Sequence, residues 1–280
     1  MTQQLSTLRS KAQKAAWMAL VALSFAASFT ALGNTHSAAL IPTPQTRALA
    51  AGAPHSIAKL RDPRRNVSAS PDYIDFCAVN GPNSKACLTR ALDAINNARA
   101  AEGVKPMVLP TNFAQLSIAR QTFVVTNLER VDRGLRPVKG MTARLNANAV
   151  HAAEVRTDPT LIGSVLSLLG VREYGSIWAG DFGPLASDYD WMYNDGYSAA
   201  GSINLECTTP TSAGCWGHRH VILDSYSNLP TIAAGVGAAK PIGSSIAEIF
   251  VGSLKSSFSY VYTWKQALAA GAGGHKVTAA

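Results

Sequence analysis

Charge is scarce in this chain. Asp, Glu, Lys and Arg make up 15% of its 280 residues against 47% hydrophobic, a balance that excludes a globally disordered protein and leaves material for a sizeable core. Cysteine is scarcer still, with four in the whole sequence, which excludes a small scaffold that replaces its core with disulfides. The chain has no Gly-x-Ser-x-Gly elbow, no His-Glu-x-x-His pair and no phosphate-cradling P-loop, so the commonest serine-hydrolase, zinc-protease and nucleotide-binding readings fall away. Interleaved basic and aromatic residues are lacking too. Arg61, Arg64 and Arg65 cluster in a Pro-containing stretch without aromatics, and nucleic acid is therefore not an expected partner.

What is present begins with an address. Arg9, Lys11 and Lys14 precede an uncharged apolar run from Ala15 to Leu32, and the small residues Ser37, Ala38 and Ala39 follow. This order predicts a signal peptide over residues 1–39, with an uncleaved anchor as the alternative. Cleavage would remove three Lys/Arg and no acid, lowering the net charge from +8 to +5 and leaving no stable membrane span. Cys77, Cys87, Cys207 and Cys215 would then lie in an oxidising compartment. Four cysteines permit three connectivities, and proximity in sequence favours Cys77–Cys87 and Cys207–Cys215.

Residues 40–72 are rich in Ala, Pro, Ser and Arg and read as a flexible linker; residues 265–280 read as a disordered Ala/Gly-rich tail. Between them an echo recurs at an offset of 31 residues: Asn96-x-x-Arg99-x-x-x-Gly103-Val-Lys-Pro106, then Asn127-x-x-Arg130-x-x-x-Gly134-Leu-Arg-Pro137. Each copy reads as a helix stopped by Gly with Pro beyond. Further helices are predicted over Thr142–Val155, Leu161–Leu169 and Leu185–Tyr193. The Gly-rich passage Tyr174–Asp181 reads as loop, and Gly196–Gly217 as a long loop closed by Cys. Thr231–Ala238 and Ser245–Val251 read as strands joined by a turn at Lys240–Gly243. Helices first and a hairpin last predict an α+β fold with helices packed on an antiparallel sheet.

The densest chemistry lies in Cys215-Trp-Gly-His218-Arg219-His220-Val-Ile-Leu-Asp224. A zinc site from Cys207, Cys215, His218 and His220 competes with a cysteine nucleophile, with a cleft lined by His218 and a second His, and with plain packing roles. A cysteine held in a disulfide serves neither of the first two.

Gly217-His218-Arg219-x-x-Ile222-Leu223, followed by Gly235-Val-Gly237, resembles the Gly-His-Arg-x-Asn-Ile-Leu signature of bacterial CAP-domain proteins, the superfamily of cysteine-rich secretory, antigen 5 and pathogenesis-related proteins. Asn127-x-x-Arg130-x-x-x-Gly134-Leu-x-Pro137 resembles that family's first helix and its exit. The resemblance covers roughly Phe123–Ser253 and implies a CAP domain over residues 123–264, an α-β-α sandwich, after an N-terminal helical extension over residues 73–122. In many members two His and two acids line a cleft that holds a divalent cation. Here the two His fall on His151 and His218. Ser176 stands where one acid is expected, with Glu173 three residues earlier, and Asp195 rather than Asn194 is the other; Val221 replaces the signature Asn. The binding cleft implied is His151, Ser176, Asp195 and His218, and the metal set is His151, Asp195 and His218 around a weakly bound cation such as zinc. The implied function is a secreted, extracellular interaction module whose ligand the sequence leaves open, with a lipid or an envelope component as the candidates. The rivals are a metal-assisted hydrolase using the same cleft and a structural envelope protein.

Overall fold

The computed structural model describes residues 62–81, 84–180, 183–226, 228–239 and 245–276. The expected signal peptide, the first part of the expected linker and the turn at 240–243 lie outside these residues. The chain is α+β. Its elements run α1 (Ile74–Asn80), α2 (Lys85–Ala101), a 3-10 turn (Phe113–Gln115), α3 (Ile118–Val131), β1 (Gly140–Met141), α4 (Ala143–Val155), α5 (Gly163–Leu169), β2 (Val171–Ala179), α6 (Pro184–Tyr193), α7 (Gly217–Leu223), β3 (Thr231–Ala238), β4 (Ile246–Ser253), β5 (Tyr262–Thr263) and α8 (Trp264–Ala269), closed by a second 3-10 turn (Ala272–Gly274). Among the described residues no helix is long and apolar enough to cross a membrane.

Five strands form one sheet in the order β2-β4-β3-β1-β5. The β2/β4 and β3/β4 pairs are antiparallel, but β1 runs parallel to β3 through Met141 and Ala234, so the sheet is mixed rather than purely antiparallel. The two-residue strand β1 is too short to show an alternating pattern in sequence. Side chains alternate across the sheet, and the two faces bury against different helices. Ile232, Ala234, Val236, Phe250 and Ile177 join the large core built by α1, α2, α3, α6 and α7. Ala233, Ile249 and Val251 pack with Leu145, Leu161 and Leu169 of the α4–α5 region, and Ala247 with Ala152 and Ala153.

Of the passage Tyr174–Asp181, expected as loop, Tyr174–Ala179 forms instead most of the edge strand β2. Its Gly175 is there because α7 rests on it: a Cβ at that position would fall 2.8 Å from Val221 Cγ1. Glycine inside a strand marks a close approach, and the sequence pattern reads it as a breaker. The boundaries move as well. Helix α3 begins at Ile118, capped by Ser117, and crosses the expected extension–domain border, while Tyr73, Cys77, Ala91, Ile95 and Ala98 of the extension share the main core. Residues 62–72 are fastened rather than free, through Val67 N donating to Tyr193 O (2.8 Å) and Asn97 Nδ2 to Ser70 O (2.6 Å). The start of the expected tail is helical up to Ala269, with a capping box at Thr263 and Gln266, and a 3-10 turn follows at Ala272–Gly274; Ala267 and Ala272 are buried. Alanine-rich sequence hides such a helix because it carries little amphipathic signal.

The sequence echo is a structural repeat. Asn96 Oδ1 accepts from Met107 N (2.7 Å) and Asn127 Oδ1 from Val138 N (2.8 Å). Arg99 Nε donates to Lys105 O (2.9 Å) and Arg130 Nε to Arg136 O (3.1 Å). Gly103 and Gly134 adopt φ of 72° and 82°, the left-handed conformation that ends both helices. The two guanidinium groups then part company. Arg99 turns to the acids Glu129 and Asp132, while Arg130 Nη1 donates to Ile222 O (2.5 Å) and Asp224 O (2.8 Å), tying down the exit of α7.

One acid lies in the middle of the sheet. Glu248 of β4 is fully buried, and Thr126 Oγ1 donates to its Oε1 (3.2 Å). Burial pushes its pKa up to about 8, outweighing Thr126 and Arg130. The proton is thus bound more tightly in the fold than in the unfolded chain, near 4.5, so Glu248's contribution is complete below pH 4.5 and lost as pH rises through 8. The difference corresponds to about 5 kcal/mol. Glu248→Gln should flatten the decline in melting temperature between pH 5 and 9; a decline equal to wild type would show that another group titrates.

Candidate functional site

Helix α7 carries the Gly-His-Arg segment, and the structure gives its residues different work. Arg219 is fully buried; its Nη1 donates to Met192 O (2.6 Å) and lies 3.0 Å from Glu102 Oε1, so it anchors α7 to the end of α6. His220 sits on the outer face, 2.9 Å from Asp62. His218 faces Asp195, which lies just beyond α6. Its Nδ1 is 2.6 Å from Asp195 Oδ1, its backbone N–H donates to Asp195 Oδ2 (2.9 Å), and the next N–H, of Arg219, donates to the same oxygen (3.3 Å). Asn204 Nδ2 donates to Asp195 Oδ1 (2.8 Å). Both oxygens of this buried carboxylate are therefore engaged.

Around the pair lie further acids. Asp158, in the α4–α5 connection, accepts from the backbone N–H of Trp178. Trp191 Nε1 donates to the carbonyl of the same residue (3.1 Å). The free edge of β2 is thereby covered at Trp178, as exposed strand edges require. Burial pushes the Asp158 carboxyl up to about 6; Glu206 and Asp195 act in the same direction against His218. Burial alone would lower the His218 imidazole, but the Asp195 hydrogen bond and the charges of Asp195, Asp158 and Glu206 outweigh it and raise the pKa above 6.5. The His218 side chain keeps 20% of its surface exposed, and its Nε2 has no hydrogen-bond partner among the described residues.

The structure does not bring the other expected site residues to this pair. His151 is exposed on α4 and makes no hydrogen bond or ion pair with a described residue. Ser176 pairs through its backbone with Ile249, and strand alternation directs its side chain to the face covered by α4 and α5, opposite the face that α6 and α7 cover. Glu173 lies on the α7 face, where its carboxyl meets Asp224; burial, the hydrogen bond to Asp224 and that residue's charge push it up to about 7. Among the described residues no group of three or more His, Cys, Asp or Glu could hold a metal ion. Of the expected set of His151, Asp195 and His218, Asp195 spends both oxygens on hydrogen bonds, and His218, held at Nδ1 by that carboxylate, keeps Nε2 open, as the single ring nitrogen of this pair free to meet a ligand. Cys207 and Cys215 form a disulfide, as do Cys77 and Cys87, which removes the cysteines from any zinc or nucleophile role.

Asp158 and Glu206 were missed in the sequence because neither belongs to a motif. The one available signal was that Glu206 adjoins Cys207 in the loop leading to His218.

Asp195→Asn should lower the pKa of His218. The pair's contribution is present below pH 6.5 and lost as pH rises through the raised folded value, so the substitution should cost more stability at pH 5 than at pH 9. Titration of the His218 ring by NMR, with melting curves at both pH values, checks this.

These features define a class: a disulfide-bearing α+β protein with an aspartate-held histidine beside a sheet edge. Compared with protein-family models, curated proteins and solved structures, the chain matches none.

Proposed function

We propose that the protein is a secreted interaction module of the CAP type, an α-β-α sandwich whose ligand-contacting group is the Nε2 side of His218. The observation that carries this reading is the orientation of the imidazole: buried Asp195 fixes Nδ1 and leaves Nε2 as a donor or acceptor. The placement of helices on both sheet faces supports the fold assignment, and so do the anchoring roles of Arg130 and Arg219 in the two motif segments. The two disulfides support export to an oxidising compartment. The ligand classes proposed are a lipid and an envelope component, and the committed oxygens of Asp195 weigh against that carboxylate as a metal ligand.

The test follows the His218 ring by NMR while Zn²⁺, phospholipid vesicles and peptidoglycan fragments are added separately, alongside ester and peptide hydrolysis assays. A response to vesicles or fragments that is lost in His218→Gln, without turnover, supports the module. His218-dependent turnover would replace it with an acid–base enzyme, and tight Zn²⁺ binding at His218 would restore the metal site.

A further inference from the structure

The segment before α1 reaches the site from the far end of the sequence. Asn66 Nδ2 donates to Gly196 O (2.9 Å), and Gly196 N donates back to Asn66 Oδ1 (2.7 Å), across 130 residues. Gly196 directly follows Asp195. Its other flank is closed by Trp216: Trp216 N donates to Asp195 O (3.0 Å), and a Cβ on Gly196 would fall 2.5 Å from Trp216 Cζ2 and 2.8 Å from Asn66 Oδ1. The peptide is thus gripped between one amide side chain and one indole, and glycine is the residue that fits there.

We propose that Asn66 is a positioning residue for the Asp195–His218 pair: by closing two hydrogen bonds on Gly196 it fixes the chain immediately after Asp195 and keeps that carboxylate on Nδ1 of His218. The segment has separate fastenings. Val67 N donates to Tyr193 O, Tyr189 Oη donates to Val67 O (3.0 Å), and Asp62 meets His220. Asn66 is therefore not needed to hold the segment in place, and both its polar atoms are committed to the peptide that carries Asp195. Without the amide, a buried N–H and C=O lose their partners, and a buried backbone polar group left unpaired drives a local rearrangement. That rearrangement falls on Asp195. The functional consequence rests on the reading of His218 as the ligand-contacting group; the positioning itself does not.

The experiment follows His218 by NMR in the full chain, without ligand, so that its outcome is separate from that of the binding test. The readouts are the ring titration midpoint and the Nδ1–H proton signal. Asn66→Ala should move the midpoint down toward the ordinary imidazole value of about 6.5 and bleach the Nδ1–H signal by exchange. Tyr189→Phe, which loosens the same segment but spares Asn66, should leave both unchanged. Should Asn66→Ala fail to accumulate, Asn66→Ser is the second variant, since its short hydroxyl cannot close both bonds and the same direction of change is expected. A wild-type midpoint and signal in the Asn66 variant, with only the melting temperature lowered, would overturn the proposal. So would an equal shift in Tyr189→Phe, which would assign the effect to the segment as a whole.

Discussion

Gly237→Ala should destabilise the fold by about 3 kcal/mol or more, at or above the upper end for inserting a methyl group into a packed core. A Cβ at Gly237 would sit inside contact distance of the backbone of Ala149 and Val150, and one at Gly235 inside that of Leu145. Neither glycine has a positive φ, so the requirement is space and not backbone conformation. Helix α4 lies with its backbone directly on β3, and a methyl group there must lift the helix off the sheet because no flexible side chain can move aside. Gly235→Ala should cost a similar amount, and the two together less than their sum, since one displacement of α4 relieves both. Gly163→Ala is the control: it opens α5 with nothing near its added Cβ and should change stability by about 0.5 kcal/mol or less. Urea unfolding of the wild type and the four variants measures the set, and a Gly237→Ala variant as stable as the control would refute the close packing.

Glu129→Ala should be at least as damaging, by about 3–5 kcal/mol, the range for breaking a buried ion pair from one side. Glu129 has no exposed surface. Arg99 Nη1 lies 2.9 Å away, Arg133 pairs with it from the next helical turn, and Tyr193 Oη donates to it (3.0 Å). Burial alone would raise its carboxyl, but Arg133 and Arg99 more than offset this and hold the pKa at about 2. Asp188, buried against Glu129, is pushed well above the usual carboxylate range, first by burial and then by the Glu129 charge. Removing Glu129 leaves two buried guanidinium groups short of an anion. The sign in pH follows: Glu129's contribution is present above its unfolded value of 4.5 and lost as pH falls through about 2. Wild type should therefore lose stability steeply on that acid limb, and Glu129→Ala should lose little further there. Parallel acid limbs in denaturant titrations would assign the acid sensitivity to another carboxylate.

The network also joins the parts that the sequence separates. Arg133 bonds Glu102 at the exit of α2 (2.7 Å), and Glu102 bonds Arg219 of α7 (3.0 Å). The N-terminal helices, expected as an extension, thus contribute an acid that holds the site-bearing helix. Nothing in sequence announces this, because a Glu after a helix end looks like any solvated charge.

Much of the fold was legible beforehand wherever the cause was local. The β3–β4 strands, α4, α6 and the two disulfides were readable because period and short loop closure act between neighbours in the chain. The echoed Asn-Arg-Gly segments were readable for the same reason, each being a self-contained helix exit. His218 and Asp195 were both picked out as residues, but their bond was not, nor were Asp158, Glu206 and Asn66 beside them. Those contacts depend on where three connecting segments, helix α7 and a sheet edge meet. In the same way, Gly175 in β2 reads as a breaker, and Gly235 and Gly237 read as ordinary strand positions, until the elements pressed against them are seen. What local sequence dictates in this protein is which segments coil or extend and which residues carry chemistry. Which imidazole nitrogen is held, which acid has its pKa raised and which glycine has no room are set by burial and by distances between residues far apart in the chain, and these exist only once the layers have packed.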